Sequence, residues 1–437
     1  MYKKILTLLK TNRFIGNTNW LIFQNIYSML LSLVVGALSA RYLEPANYGL
    51  IGYGTSLVNL FTSVSQLGLD SVLLNEIVTH PKEKGKFIGT AVCMRLPASI
   101  LSFCCILVMV FIIEPGNQLL WAITALQAFA VILRGYELLN EWFLSELNSK
   151  QYVVANMLGQ TAVAIWRLVL IALGATVFWF AASTTVQAVV CGCVIVGIFV
   201  KSKDFKLSFS FDTAKYLFGK SKHYVVAGLA VSLYTQMDKV MVGKMLGETE
   251  VGYYTAAMTI AMLWEFIPQA IINSSRAVIL DEKVNNEERY RKKLKLLFFF
   301  ISVMGIAVGI AVQIFGGLAV YILYGEQYME AVPVLQLLIW STTFAMLGVA
   351  RNIWSLAEDK NRYSKNYTIC GSIVNLVFNA LTIPVWGIQG AAASTLLAEI
   401  VVALISPSIW KDTRPFVSFY FSSWKEGIQL VRKYLRR

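Results

Sequence analysis

Stretches of about twenty predominantly apolar residues recur from one end of this chain to the other, and that recurrence restricts its fold more than any single motif does. A helix of that length crosses the hydrocarbon core of a bilayer, so lipid rather than water is the solvent for most of the chain. Hydrophobic residues make up 57% and charged ones 14%, against about 45–50% and about 25% in soluble domains. The pattern predicts an all-α integral membrane protein with twelve spans, at 16–40, 49–71, 87–113, 118–142, 152–174, 176–200, 223–246, 252–273, 296–323, 332–355, 366–385 and 388–410. Lys3, Lys4 and Lys10 precede the first run, but it is too long for a signal peptide and has no clear small-residue cleavage site. It reads as a retained helix.

The net charge of +13 has a topological origin. Seven segments on one side of the predicted spans (the start of the chain, 72–86, 143–151, 201–222, 274–295, 356–365 and the tail from 411) hold 31 of the 38 Lys and Arg residues. The short connections on the other side hold only Arg41. This asymmetry predicts that both termini are cytoplasmic, and it leaves no basic surface that calls for nucleic acid. No large outer loop is present in which a polymerase or transferase would assemble a site. The charged stretch Ser274–Lys295 reads as a solvated extension of helices, and 201–222 as the linker between two halves.

Two weak internal echoes support those halves. A displacement of 203 residues carries Arg41 onto Lys244, Leu43 onto Leu246, Gly49 onto Gly252 and Gln66 onto Gln269. A displacement of 211 carries Ala-Ala-Ser-Thr at 181–184 onto the same tetrapeptide at 392–395. The predicted organisation is a six-helix bundle at 1–210, a second at 211–410 and a basic amphipathic tail at 411–437. An even number of spans returns each half to the same side, which makes the repeats parallel. In the tail, Trp424, Ile428, Val431 and Leu435 follow helical spacing, with Lys425, Arg432, Lys433, Arg436 and Arg437 on other faces. This predicts a helix lying on the anionic inner leaflet.

Catalytic chemistry is thinly represented. Neither His80 nor His223 has a metal or triad partner at helical spacing, and no phosphate-binding glycine loop or GxSxG occurs. Cys93, Cys104, Cys105, Cys191, Cys193 and Cys370 all lie in apolar runs and read as buried free thiols, so neither a metal nor a cofactor is implied. Charge inside the spans stands out instead. Arg95, Arg134, Arg167, Lys239 and Arg351 are basic; Glu137, Glu141, Asp238, Glu265 and Glu399 are acidic. Each costs about 2.5–3.5 kcal/mol at mid-helix unless it is paired or faces water, so these residues bridge helices or line a path. Arg134 and Glu137 can pair along their own helix. Arg167 has no acid within a turn and lies beside Trp166, a platform for a sugar ring. The five cations are candidates for a substrate path. Glu265, Glu399 and, with less support beside Lys239, Asp238 are candidates for ion coupling, because a carboxyl in apolar surroundings favours its neutral form. Neither glutamate recurs in the first half, which confines an ion site to the second.

Three segments resemble the MOP (multidrug/oligosaccharidyl-lipid/polysaccharide) exporter superfamily, and within it the Wzx-type repeat-unit flippases. They are RYLEPANYGLIGYG continuing through SVSQLGLDSVLLNE to Glu76, MDKVMVGKMLGETEVGYYTAA from Met237 to Ala257, and IVNLVFNALTIPVWGIQGAAASTLLAE from Ile373 to Glu399. The resemblance covers nearly the whole chain. It implies two bundles around a cavity that opens alternately to each side of a bacterial inner membrane. It also implies an undecaprenyl-diphosphate-linked oligosaccharide as substrate and other polysaccharide-assembly membrane proteins as partners. Lipid II flippases resemble this pattern but are longer, and the related MATE drug exporters often carry an acid in the first span, where Gly16 to Ala40 has none. A MATE-like cation-coupled exporter of drugs or small solutes is the alternative that the same resemblance admits.

Overall fold

A computed structural model of the chain describes residues 12–435; Lys3, Lys4, Lys10, Arg436 and Arg437 lie outside the described residues. Every regular element among them is helical, because a backbone in lipid must satisfy its hydrogen bonds within its own segment. The first helices are α1 (Asn12–Gln66), α2 (Leu69–Thr79), α3 (Lys84–Ile113), α4 (Gln118–Leu133), α5 (Leu138–Ser145), α6 (Ser149–Ala172), α7 (Val177–Ala181), α8 (Ser183–Ser202) and α9 (Phe211–Leu246). They are followed by α10 (Glu248–Met262), α11 (Phe266–Asn285), α12 (Glu287–Tyr324), α13 (Ala331–Ala357), α14 (Ser364–Ile400), α15 (Ser406–Ile409) and α16 (Pro415–Leu435). A π-helical turn, Val401–Ile405, joins α14 to α15.

Ten stretches among the described residues are long and apolar enough to cross a membrane. Two of them, Trp20–Thr79 with 60 residues and Asn361–Ile409 with 49, exceed a single crossing. At helical rise they measure about 90 Å and about 75 Å against a core of about 30 Å. Each contains a reversal. In α1 the break is Glu44, at φ 61° and ψ 166°, followed by Pro45, whose missing N–H suits the first turn of a new helix. Before the break, Tyr27 bonds Thr161 and Tyr42 bonds the Ala175 carbonyl, so that arm runs parallel to α6. After it, Tyr53 bonds Glu114 and Ser102 bonds the Phe61 carbonyl, so the second arm runs antiparallel to α3. In α14 the break is Gly387, at φ 58° and ψ −140°. Thr382 bonds the Gly390 carbonyl and Ser394, and Gly371 packs against Val402, which closes a helical hairpin around Gly387. The 203-residue displacement carries Glu44 onto Gly247, itself a break at φ 101° between α9 and α10.

The chain divides into two compact units, up to Ser232 and from Leu233, so the division falls inside α9 rather than at residue 210. The first unit has a core that includes Leu73, Phe87, Leu138, Phe143 and Phe199. The second is centred on Tyr290, Leu294, Phe298, Ile353 and Phe416. Helix α3 shows the inverted logic of a membrane bundle: Leu101, Val108, Phe111 and Ile112 point outward, while Thr90, Ser99 and Ser102 are buried. The six cysteines are free, as the sequence predicts, but only Cys191 is buried in protein, and Cys93, Cys104 and Cys193 are exposed.

The tail corrects an expectation. Helix α16 packs Phe416 against the Phe298 ring at 5.5 Å and Trp424 against the Phe299 ring at 5.6 Å, and Tyr420 reaches Ser302 at 3.1 Å. A Cβ at Gly427 would overlap the Phe299 ring, so only glycine admits this approach. The apolar face expected through Trp424 and Ile428 is therefore divided: Trp424 serves the bundle, while Ile428 and Phe421 stay outside with Lys425 and Arg432. Spacing identified an apolar face but not its partner on α12. Just before α16, Asp412 accepts hydrogen bonds from Tyr363 and Arg362, and these two groups, the tyrosine first, hold its carboxyl below the usual range. The charged stretch around 286 is a pair of helix extensions, as expected, tied by Lys293 to Glu282 at 2.6 Å.

The hairpin in α14 yields a prediction. A Cβ at Gly390 would collide with the Thr382 carbonyl oxygen, whereas one at Gly36 meets nothing within 4 Å. Gly390→Ala should cost about 1–3 kcal/mol, the usual penalty for overpacking, and lower the melting temperature in detergent, with Gly36→Ala close to wild type. Equal melting of the two variants would contradict the hairpin packing.

Candidate functional site

In the first unit the intramembrane charges gather around Arg95. This side chain, on α3, is 1% exposed. Its Nη1 donates to Asp70 of α2 at 3.0 Å and its Nη2 to Glu137 at 2.6 Å, in the 3-10 turn Arg134–Glu137. Arg134 Nε lies 3.9 Å from the other Glu137 oxygen, so the predicted pair along the helix exists but is the weaker of the two. The stronger partner is 42 residues away in sequence, beyond any local pattern. Arg95 therefore joins α2, α3 and that turn, and it is committed to protein carboxylates. Arg167, half-buried on α6, has Ser183 as a hydrogen-bond partner at 3.1 Å and no carboxylate partner among the described residues. Trp166 beside it donates to the Trp179 carbonyl.

The second unit is organised around Asp238, 3% exposed on α9. Its Oδ1 accepts from the side-chain amides of Asn375 and Asn379 at 2.8 and 2.6 Å, and its Oδ2 from the hydroxyls of Tyr254 and Thr395 at 3.0 and 2.6 Å. Neutral donors hold this carboxylate, where the sequence pointed to Lys239 or another cation. Lys239 is half-buried and makes no hydrogen bond or ion pair with a described residue. One turn along each helix, Tyr234 of α9 donates to Glu399 of α14 at 2.6 Å. Glu265 is half-buried in the 3-10 turn Leu263–Glu265 and has no such partner. Arg351, 3% exposed, donates from Nη1 to the carbonyls of Val402 and Ala403 and lies 4.4 Å above the Tyr367 ring. Those carbonyls belong to the π-helical turn, whose wider winding alters the usual backbone pairing. Like Arg95, Arg351 is committed to the protein.

Of the five candidate path cations, then, Arg95 and Arg351 are buried structural ties. Arg134 is shared with Glu137, and Arg167 and Lys239 have no carboxylate partner among the described residues. Among the described residues no three His, Cys, Asp or Glu side chains meet to hold a metal. Sequence reasoning missed Tyr234, Tyr254, Asn375, Asn379 and Thr395; the available signal was a pair of asparagines four apart in an apolar run, an arrangement that bonds across helices. His80 also gains a partner, since its Nδ1 lies 3.4 Å from Glu76, four residues earlier. Replacing Arg95 with alanine leaves Asp70 without its cation and Glu137 with only the weaker Arg134 contact, a change worth about 3–5 kcal/mol. Arg95→Ala should lose most folded protein in a detergent melting assay, with Arg95→Lys intermediate; unchanged melting would show that the network carries no load.

The comparisons with known proteins agree with this architecture. Residues 38–333 match the model of a family described as polysaccharide biosynthesis protein. A putative O-antigen transporter of Shigella flexneri is 22% identical over 430 residues, covering 92% of this chain and 98% of that one. A probable low-salt glycan biosynthesis flippase, Agl15, of Haloferax volcanii is 24% identical over 206 residues, 43% of this chain and only 40% of the relative. Among solved structures, an inward-facing MATE-family multidrug resistance transporter of the MOP superfamily matches with a TM-score of 0.71 at 16% identity, over 91% of this chain and 96% of the other. The lipid II flippase MurJ matches with a TM-score of 0.65 at 14% identity, over 97% and 93%. At such identities the structures establish the fold alone, and the relatives' names are those of transporters and flippases rather than catalysts. The resemblance carried by the three sequence segments is borne out: this multi-pass membrane chain has the MOP-superfamily fold and belongs to the polysaccharide biosynthesis protein family.

Proposed function

We propose that this protein is a flippase that moves undecaprenyl-diphosphate-linked oligosaccharide repeat units from the cytoplasmic to the periplasmic leaflet of a bacterial inner membrane by alternating access, for O-antigen or another surface polysaccharide. The observation that carries this reading is the state of Arg167 and Lys239. Both lie in helices of membrane-crossing length, half-buried and without a carboxylate partner among the described residues. A cation so placed is costly unless it meets water or a passing anion, and a diphosphate is such an anion. The reading includes twelve spans with both termini cytoplasmic; the reversals at Glu44 and Gly387, which divide two of the ten long stretches, support that number.

The test is flipping in proteoliposomes loaded with the native host's lipid-linked oligosaccharide. Arg167→Ala and Lys239→Ala should each slow flipping by about tenfold, equivalent to about 1.4 kcal/mol, at unchanged protein level. Arg134→Ala should do so less, and Arg167→Lys should retain part of the rate. Three alanine variants at the wild-type rate would remove the cationic path. Transport of a small solute by protein that flips no lipid would favour the cation-coupled exporter instead.

Coupling is assigned to Glu399 and Glu265. Asp238 has four donors fixing both its oxygens, whereas Glu399 has Tyr234 and Glu265 has no described partner. An acid that changes protonation during a cycle must not be fully occupied by fixed donors. A pH gradient should stimulate wild-type flipping and stimulate Glu399→Gln and Glu265→Gln less. Undiminished stimulation in both variants would exclude these residues from coupling.

A further inference from the structure

A cavity of about 450 Å³, with polar side chains set among apolar surface, lies in the first unit between α2 and the first half of α9. Its volume falls within the range of about 300–1,000 Å³ usual for small-ligand sites. At its base is Glu76, 4% exposed. Lys220 donates to Glu76 at 2.6 Å and Tyr216 at 3.3 Å, and His80 Nδ1 stands 3.4 Å away. The charges of Glu76 and Lys220 are thereby matched, so the cavity presents little net charge. Also on α2, Ser71 and Asn75 lie one turn apart, exposed, and their side chains make no hydrogen bond with a described residue. Across from them Tyr224 of α9 is 51% exposed, its Cβ pressed on Gly68, where φ is +62° and a side chain would collide.

We infer that this cavity is a carbohydrate subsite that reads a sugar of the substrate before it crosses. The inference rests on the flippase reading above. An uncommitted hydroxyl and a side-chain amide supply donors and acceptors for sugar hydroxyls, and an open aromatic ring offers an apolar face to the C–H side of a pyranose. A bare phosphate fits less well, because Lys220 is already held by Glu76 and an anion there would face a buried carboxylate. The position agrees with this role. Segments 72–86 and 201–222, which flank the cavity, carry the basic charge that marks the cytoplasmic side, where a lipid-linked sugar waits before translocation.

The experiment measures binding of two probes to purified protein in lipid nanodiscs: the native host's lipid-linked oligosaccharide, and undecaprenyl diphosphate without sugar. Wild-type protein should bind the sugar-bearing lipid more tightly. Asn75→Ala and Tyr224→Ala should each weaken that binding about tenfold while leaving the sugar-free lipid unchanged, and Tyr224→Phe should keep most of the affinity. Both positions are exposed, and melting temperatures would verify that the variants fold. Variants that bind the sugar-bearing lipid like wild type, or lose both lipids equally, would overturn the subsite. The proteoliposome assay separates the two readings: flipping by wild-type protein together with indifferent variants refutes only the subsite, whereas absence of flipping refutes the function on which it rests.

Discussion

A peptide group in lipid finds no water to bond with, and the architecture follows from that constraint. Each crossing must be a helix that satisfies its own backbone, so breaks belong only where the chain turns around. Glu44 and Gly387 are such places. Each sits in a segment too long for one crossing, within three residues of a proline (Pro45 after Glu44, Pro384 before Gly387) that can begin or interrupt a helix without adding an unpaired N–H. The arms on either side then pack as separate helices against different neighbours.

The same constraint governs side chains. An intramembrane charge must find partners or serve a path, and the described residues show both outcomes. Arg95 and Asp238 are the centres of two closed networks, one ionic and one made of neutral donors. Arg351 solves the problem differently, by donating to the carbonyls of a π-helical turn. Arg167 and Lys239 are not closed in this way. The difference between spent and unspent charge gives the candidate path its physical meaning.

Much of this was legible in the sequence. Length and apolarity of the runs indicated helical spans, and the weak echo at 203 residues pointed to repetition. The echo gains substance from geometry, because Glu44 and Gly247 both interrupt helices. The family was legible too, through segments whose prolines and glycines mark the turns. The tail was read less well, since its spacing fitted a membrane surface and the face of α12 equally.

What the sequence determined by itself was whatever depends on local composition: which segments enter lipid, where they end and which residues are costly there. Only the tertiary structure decided how those costs are met. Glu137 turns chiefly to Arg95 rather than to Arg134 three residues away, and Asp238 turns to Asn375, Asn379 and Thr395 rather than to adjacent Lys239. Partners of that kind are set by how each helix is rotated about its axis and which helix lies beside it. Packing of whole faces fixes both, and a one-dimensional pattern contains neither.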